Sequence, residues 1–207
     1  MKNTILTKQP YKGTMDWYPK DMYIRNYIFD IWSRVAKSYG YEEYDTATLE
    51  DANLYKVKSG EELGGNQLYN FIDKGGREIA LRPEMTPSLA RMVANKKNDL
   101  QFPLRWFNIG RYYRYEKPQK GRRREFFQLN IDILGVDSIT AETEIVSFVI
   151  DVMKEFKAPL NSFELKINSR YLLDYLFTEI LQIDEEIKPK IARALDNYLK
   201  MSNNDFT

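Results

Sequence analysis

Hydrophobic positions recur every three to four residues in three stretches, the spacing of amphipathic helices. They predict helices from about Asp21 to Tyr39, from Thr86 to Asn95 and from Thr140 to Phe156. In the second helix, Thr86 reads as the N-cap and Pro87 as the first helical residue. The side chains predicted to face inward are Ile24, Ile28, Ile31 and Val35 in the first helix and Ile145, Phe148, Val149, Val152 and Phe156 in the third.

Alternating and β-branched or aromatic runs between these helices predict strands. The runs are Tyr41–Leu49, Leu68–Asp73, Glu78–Arg82, Leu104–Glu116, Arg123–Leu134 and Phe163–Ile167. Turn residues at 74–76 and 117–121 indicate two antiparallel hairpins. The tail, Tyr171–Phe206, has a charged helical pattern. This order predicts an α+β fold, an antiparallel sheet flanked by helices, and not alternating βαβ units.

The strand that begins at Arg123 separates two kinds of side chain onto its two faces. One face carries Phe127, Leu129, Ile131 and Ile133, and the other carries Arg124, Phe126, Gln128, Asn130 and Asp132. On the preceding strand, Arg114 and Glu116 share a face. If the two polar faces lie on the same side of the sheet, they form a surface that can bind a polar ligand. A solvated face of an ordinary antiparallel sheet is the equally weighted alternative.

The composition excludes several kinds of chemistry. The 207 residues are 43% hydrophobic, enough for a core, and no apolar run is long enough to span a bilayer. The first nine residues lack the apolar stretch of a signal peptide, which fits a cytoplasmic address. The chain has neither cysteine nor histidine, so it cannot build a disulfide, a thiolate metal site or a Ser-His or Cys-His nucleophile pair. Activation of a carboxylate by ATP needs no protein base and depends on positioning and charge neutralisation.

Charge is concentrated in one window. Between Arg111 and Arg124 there are seven basic residues and one acid, a net charge of +6. Because the whole chain carries +1, the remainder carries −5. Aromatic residues interleave with the basic ones, which favours a site for polyphosphate or nucleic acid over a solvated charge run.

The segment from Phe107 to Asp132 closely resembles motif 2 of the histidyl-tRNA synthetases, which are class II enzymes. Its Arg-x-Glu step is general to class II, whereas the loop Glu116-Lys-Pro-Gln-Lys-Gly-Arg122, followed by Glu-Phe-Phe-Gln128, is specific to the histidyl branch. Leu81-Arg-Pro-Glu-Met-Thr86 resembles the family's amino-acid-binding segment, and Lys12-Gly-Thr-Met-Asp16 with Pro19 resembles its N-terminal signature.

The resemblance implies an ATP site, with Mg²⁺ accompanying ATP. Arg114 would hold the α-phosphate and the attacking carboxylate, since guanidinium donates in pairs and stays charged. Glu116 would accept from the adenine amino group, Phe126 would stack on adenine, and Arg122 would reach the outer phosphates. A plain ion pair between Arg114 and Glu116, or core packing for Phe126, are the structural alternatives.

The resemblance also implies a histidine site. Glu84 and Thr86 would take the ammonium group, Gln128 the ammonium or carboxylate, and Asp132 the imidazole N–H. Helix-start chemistry is the rival explanation for Glu84 and Thr86.

Two further partners follow from the resemblance. Lys117 and Gln119 at the loop tip are candidates for contact with the acceptor end of tRNA(His). A homodimer is expected, although Ala47 stands where motif 1 of class II enzymes usually has proline at the dimer interface. Asp132 is a second departure, because many bacterial relatives have the longer glutamate there.

The resemblance covers about the first half of a typical family member. It implies a class II catalytic core at 1–168 with motifs 1 and 2 only, and a helical segment at 169–207 leading into an insertion region. Motif 3, the second histidine-binding segment and the anticodon-binding domain have no counterpart, so the expectation is a truncated N-terminal catalytic fragment, inactive alone as a histidine–tRNA ligase.

Two other functions compete with this interpretation. One is the non-aminoacylating paralogue that regulates the first enzyme of histidine biosynthesis; the intact loop from Pro118 to Arg122 argues against it. The other is a nucleic-acid-binding module that uses the basic hairpin, which predicts salt-dependent RNA binding without ATP binding.

Overall fold

The computed structural model describes residues 7–58, 65–159 and 161–197. Its helices are α1 (Pro19–Ser38), α2 (Ala52–Lys58), α3 (Thr86–Asn95), α4 (Ile139–Glu155), α5 (Arg170–Tyr175), a π-helical turn (Leu176–Ile180) and α6 (Lys188–Asn197). Its strands are β1 (Glu42–Glu43), β2 (Leu49–Asp51), β3 (Tyr69–Ile72), β4 (Glu78–Leu81), β5 (Leu104–Tyr113) and β6 (Glu125–Leu134). The chain divides into two compact units, Met1–Ser162 and Phe163–Thr207.

The first unit is organised by the long β5–β6 hairpin. Its antiparallel register places Gly110 opposite Gln128 and Trp106 opposite Asp132. β1 lies parallel to β5 on the other edge, giving the strand order β1-β5-β6. A second sheet, β2-β4-β3, is antiparallel throughout. Both predicted hairpins and the α+β class are therefore confirmed.

One face of the hairpin is covered by α1 and α4. Phe107 of β5 is fully buried there, together with Ile31 and Val35 of α1 and Phe148 and Val152 of α4. Leu129, Ile131 and Ile133 pack against the same cluster. Alternation along β6 thus predicted correctly which of its residues enter the core.

Two residues predicted to face inward do not. Ile24 is 54% exposed, because the buried residues of α1 lie in its C-terminal half. Val149 is 41% exposed. It lies about 100° around α4 from Phe148, outside the stripe that Phe148 and Val152 define.

Three local predictions were wrong. The expected strand Tyr41–Leu49 is interrupted, since β1 and β2 join different sheets. Thr86 is the first helical residue of α3 and not its cap; the capping position is Met85, with no side-chain cap bond. Residues 163–167 form no strand; they lead into α5 as irregular chain.

The second unit is helical, as the charged pattern of the tail predicts. Ser169 caps α5 by accepting from the backbone N–H of Leu172 at 3.3 Å. A π-helical turn and α6 follow. The part of the predicted tail beyond Asn197 lies outside the described residues.

Candidate functional site

The second face of the β5–β6 hairpin carries three of the predicted ligand-binding residues, Phe126, Gln128 and Asp132. We call it the polar face; its members are Trp106, Asn108, Gly110 and Tyr112 of β5 and Phe126, Gln128, Asn130 and Asp132 of β6. Met85 and Leu89, at the start of α3, pack against Tyr112, Phe126 and Trp106 on this face. The aromatic residues of this face therefore lie between the β-hairpin and the N-terminus of α3.

A chain of buried hydrogen bonds links Asn108, Tyr112 and Asn130, which form the floor of this face. The Tyr112 hydroxyl donates to Oδ1 of Asn108 at 2.8 Å and accepts from Nδ2 of Asn130 at 2.8 Å. The first of these bonds passes over Gly110. A Cβ atom at position 110 would lie 2.7 Å from the Tyr112 hydroxyl and closer still to Asn108, so only glycine fits there.

Arg82 links this floor by hydrogen bonds to other parts of the first unit. Its side chain is 3% exposed and donates to Asp45 at 2.5 Å, to the Thr46 carbonyl at 3.0 Å and to the Arg111 carbonyl at 3.0 Å. The guanidinium also lies over the Tyr112 ring, 5.1 Å from its centroid. A buried charge is tolerated when it is paired and hydrogen-bonded, as it is here. Sequence reasoning missed this anchor, since nothing in the order of residues links Asp45 to Arg82.

Asp132 lies at the end of the polar face with one carboxylate oxygen engaged. Its Oδ2 accepts from the Tyr44 hydroxyl at 3.2 Å. Burial raises the pKa of the Asp132 carboxyl above its ordinary value, and the Tyr44 bond partly offsets that rise. Burial and the Asp132 charge also raise the pKa of Tyr44, so Tyr44 stays protonated and donates.

The other candidate histidine ligands have open hydrogen-bonding capacity. Gln128, opposite Gly110, and Glu84, between β4 and α3, are half-buried. Neither side chain makes a hydrogen bond or ion pair within the described part of the chain. Thr86 is exposed at the start of α3 and makes no cap bond, so helix capping does not account for it.

Arg114 lies between the polar face and the segment Leu81–Thr86, which we call the Glu84 segment. Its Nε donates to the Pro83 carbonyl at 3.0 Å, and its guanidinium lies 5.1 Å from the centroid of the Phe126 ring. Phe126 is half-buried and tilts against Tyr112, so it contributes to packing while keeping part of its surface open. Arg114 is not paired with Glu116, so the simple ion-pair alternative for these two residues is wrong.

Glu116 pairs instead with Arg122 across the hairpin loop, at 3.3 Å. The loop tip is closed by reciprocal backbone bonds between Gln119 and Arg122 at 3.1 and 2.9 Å. Gly121 adopts a φ of 81° there, a conformation that favours glycine. Lys117 and Gln119 are exposed and, with Glu116 and Arg122, line a cleft of about 250 Å³.

The segment around Tyr11 and Gly13, which precedes α1, contacts the base of the same loop. The Gly13 carbonyl accepts from the backbone N–H of Arg124 at 2.8 Å. The Arg124 guanidinium lies between Tyr11 and Tyr115, at 5.6 and 4.1 Å from the two ring centroids. Gly13 has a φ of 88°, and a Cβ there would meet the Arg124 side chain at 2.7 Å. This contact accounts for glycine at position 13, beside the basic hairpin.

The antiparallel hairpin, its Arg-x-Glu step and the flanking helices are the features of a class II aminoacyl-tRNA synthetase core. A family model described as histidyl-tRNA synthetase matches residues 13–198. The chain belongs to the histidyl-tRNA synthetase family.

Similar proteins span several groups of organisms. The chain is 48% identical over 206 residues to a histidine–tRNA ligase of Leptospira biflexa, covering 100% of this chain and 47% of that protein. It is 41% identical over 192 residues to the chloroplastic/mitochondrial histidine–tRNA ligase of Arabidopsis thaliana, covering 93% and 39%. The chain thus spans about half the length of the curated relatives it matches.

A solved structure with the same fold comes from Bacillus halodurans. It is described as an ATP phosphoribosyltransferase regulatory subunit/histidyl-tRNA synthetase, with a TM-score of 0.80 and 26% identity, covering 97% of this chain and 51% of the other. Over the described residues of the present chain, every helix is too short or too polar to cross a membrane.

Proposed function

We propose that the polar face binds histidine and ATP for the formation of histidyl-adenylate, within a protein that makes histidyl-tRNA. An oxygen of the histidine carboxylate attacks the α-phosphorus of ATP, the bond from that phosphorus to the bridging oxygen breaks, and pyrophosphate leaves. A ribose hydroxyl of tRNA then attacks the acyl carbon, and AMP leaves. No step needs a histidine or cysteine side chain, neither of which the chain contains.

The observation that carries the proposal is the position of Arg114. Its bond to the Pro83 carbonyl places a permanent positive charge between the Glu84 segment and the polar face that holds Gln128 and Asp132. In the proposed complex, the carboxylate of the amino acid and the α-phosphate meet beside this charge. A guanidinium held by only one carbonyl bond keeps further N–H groups for those two anions.

The histidine end of the site is supplied by groups of complementary charge. Glu84, Thr86 and Gln128 would hold the ammonium and carboxylate, and Asp132 would accept from the imidazole N–H. Glu84 and Gln128 are half-buried, and their side chains have no hydrogen-bond partner in the described residues, whereas buried polar groups usually have partners. A ligand with matching donors and acceptors would therefore be stabilised there.

The ATP end would use Phe126 as the stacking surface for adenine and Glu116 as the acceptor for its amino group. The Arg122 guanidinium, paired with Glu116 and 65% exposed, would reach the outer phosphates. The described residues contain no group of three or more acidic side chains that could hold a metal ion. Mg²⁺ enters this proposal as the companion of ATP.

The remaining partners rest on the family and on exposure. Lys117 and Gln119 stand exposed at the loop tip, where the acceptor end of tRNA would approach. The homodimer is supported by two exposed apolar side chains on one face of the β2-β4-β3 sheet, Leu49 and Phe71, since exposed apolar patches mark protein contacts. Light scattering on the purified chain distinguishes monomer from dimer.

Binding of ATP to the 207-residue chain tests the proposal, with two arginine variants compared. Arg114→Ala removes the proposed phosphate ligand and should weaken ATP at least tenfold. Arg111→Ala is the matched control, because Arg111 lies on the other face over Phe127 and pairs with Glu125. It should leave ATP affinity unchanged. Equal effects of the two variants, or none from either, would contradict the proposal.

A regulatory role is the second candidate, because the Bacillus halodurans neighbour carries both descriptions. It predicts that the chain captures an ATP phosphoribosyltransferase in a binding assay. Loss of ATP binding in Arg114→Ala, with no such capture, favours the synthetase.

A further inference from the structure

Tyr44 is the one side chain that hydrogen-bonds Asp132 among the described residues, and its own position is fixed from several sides. Its backbone N–H donates to the Phe107 carbonyl at 2.9 Å, and its carbonyl accepts from Nδ2 of Asn108 at 2.7 Å. Its ring tilts against Trp106, with centroids 5.5 Å apart. Trp106 is the register partner of Asp132, so the Tyr44 hydroxyl is held directly at that carboxylate.

The two oxygens of Asp132 are consequently different. Oδ2 accepts from Tyr44, whereas Oδ1 has no partner in the part of the chain that the structure describes. An ionised carboxylate can accept several hydrogen bonds, and leaving one oxygen of a half-buried carboxylate unpaired costs stability. The geometry leaves one acceptor for a donor that comes from a ligand.

We propose that Tyr44 is a positioning residue, which holds Oδ2 of Asp132 so that Oδ1 accepts the ring N–H of histidine and rejects rings without one. This inference rests on the proposed function of the polar face. Sites that hydrogen-bond a substrate N–H reject analogues lacking it strongly, because the buried acceptor is then unpaired.

Two tyrosine variants separate this role from a structural one. Tyr44→Phe removes only the hydroxyl at Asp132. Tyr41→Phe is the matched control, since the Tyr41 hydroxyl donates to another carboxylate, Glu144, at 2.9 Å and lies away from the polar face. Equilibrium binding of L-histidine and of 4-thiazolylalanine, whose ring has no N–H, is measured for the 207-residue chain and both variants.

We expect the parent chain to prefer histidine over thiazolylalanine. Tyr44→Phe should weaken histidine about tenfold and change thiazolylalanine little, so the preference falls about tenfold. Tyr41→Phe should leave the preference unchanged. An unaltered preference in Tyr44→Phe, or an equal loss of both ligands, overturns the inference while the proposed function stands. If the parent binds neither amino acid, the proposed function fails and the inference falls with it.

A ¹³C NMR titration of the Asp132 carboxyl supplies a second readout that needs no ligand. Losing the Tyr44 donor should raise the pKa of Asp132, because the bond favours the ionised form. The other ionisable groups beside Tyr44 and Asp132 are Tyr112 of β5, Arg82 and Asp45. Neither variant alters them. A midpoint that does not move in Tyr44→Phe, or moves equally in Tyr41→Phe, contradicts the proposed contact.

Discussion

Carboxylates on the two sides of the β5–β6 hairpin differ in how many hydrogen bonds and ion pairs they make. On the helix-covered side, Glu144 binds Arg105 at 3.0 Å and Tyr41 at 2.9 Å, and Asp151 binds Tyr39 at 2.6 Å and Lys154 at 2.9 Å. On the polar face, the Asp132 carboxylate has a single bond to Tyr44; the side chain of Glu84, between β4 and α3, has none within the described residues.

The pKa directions follow this difference in pairing. The Arg105 and Tyr41 bonds lower the pKa of Glu144, and the Tyr39 and Lys154 bonds lower that of Asp151. Burial raises the pKa of Asp132. Pairing therefore favours the ionised form of Glu144 and Asp151, whereas burial disfavours the ionised form of Asp132. The proposed ligand site lies on the face where hydrogen bonding among the described residues is incomplete.

The largest effect is expected on the helix-covered face. Phe107→Ala removes a fully buried ring from the cluster of α1 and α4 and should lower the free energy of unfolding by about 3–5 kcal/mol. Urea denaturation measures this loss. Gln128→Ala, on the polar face, should change stability by at most about 0.5 kcal/mol while weakening histidine binding. Equal stability losses from the two variants would erase the contrast between the faces.

Gly110→Ala tests the buried floor beneath the polar face. The added Cβ would collide with Asn108 and Tyr112 and should cost about 3 kcal/mol of unfolding free energy. Gly65→Ala is the control, because a Cβ at that position meets open space. Thermal unfolding compares the two; a wild-type melting temperature for Gly110→Ala would show that the Tyr112–Asn108 bond does not constrain this position.

Glu144→Gln and Asp132→Asn should shift stability in opposite directions. The pKa of Glu144 is lowered from 4.5, so its contribution is present above pH 4.5 and is lost as the pH falls through the lowered value. Glu144→Gln should therefore cost about 1–2 kcal/mol at pH 7, a cost that disappears in acid.

The pKa of Asp132 is raised from 3.8, so ionising it in the folded state opposes folding once the pH exceeds 3.8 and rises through the raised value. Asp132→Asn should then gain about 0.5–1 kcal/mol at pH 7 and nothing below pH 3.8. Urea denaturation across pH gives both curves, and the same sign for both variants at pH 7 would remove the basis of the comparison.

The sequence predicted the parts of this molecule that depend on local periodicity. Alternation in β6 separated Leu129 and Ile131 from Gln128 and Asp132, because a strand gives its two faces to successive residues. The helix that holds Phe148 was predicted from the same kind of regularity, with ends one residue away from those observed.

The parts that depend on long-range contacts were not predictable in this way. Tyr44 meets Asp132 across 88 positions, and Arg82 meets Asp45 across 37. The exposure of Ile24 likewise depends on which part of α1 is covered by neighbouring elements, and its own periodicity does not determine that.

Hydrogen exchange on the 207-residue chain tests the central claim most directly. If the polar face and its loop bind ATP and histidine, both ligands together should slow exchange of the backbone amides between Arg114 and Arg124, and leave α1 and α4 unchanged. Arg114→Ala should abolish this protection, and Arg111→Ala should retain it. Exchange that is unaffected by the ligands in the parent chain, or protection that survives in Arg114→Ala, would contradict the assignment of the ligand site to this face.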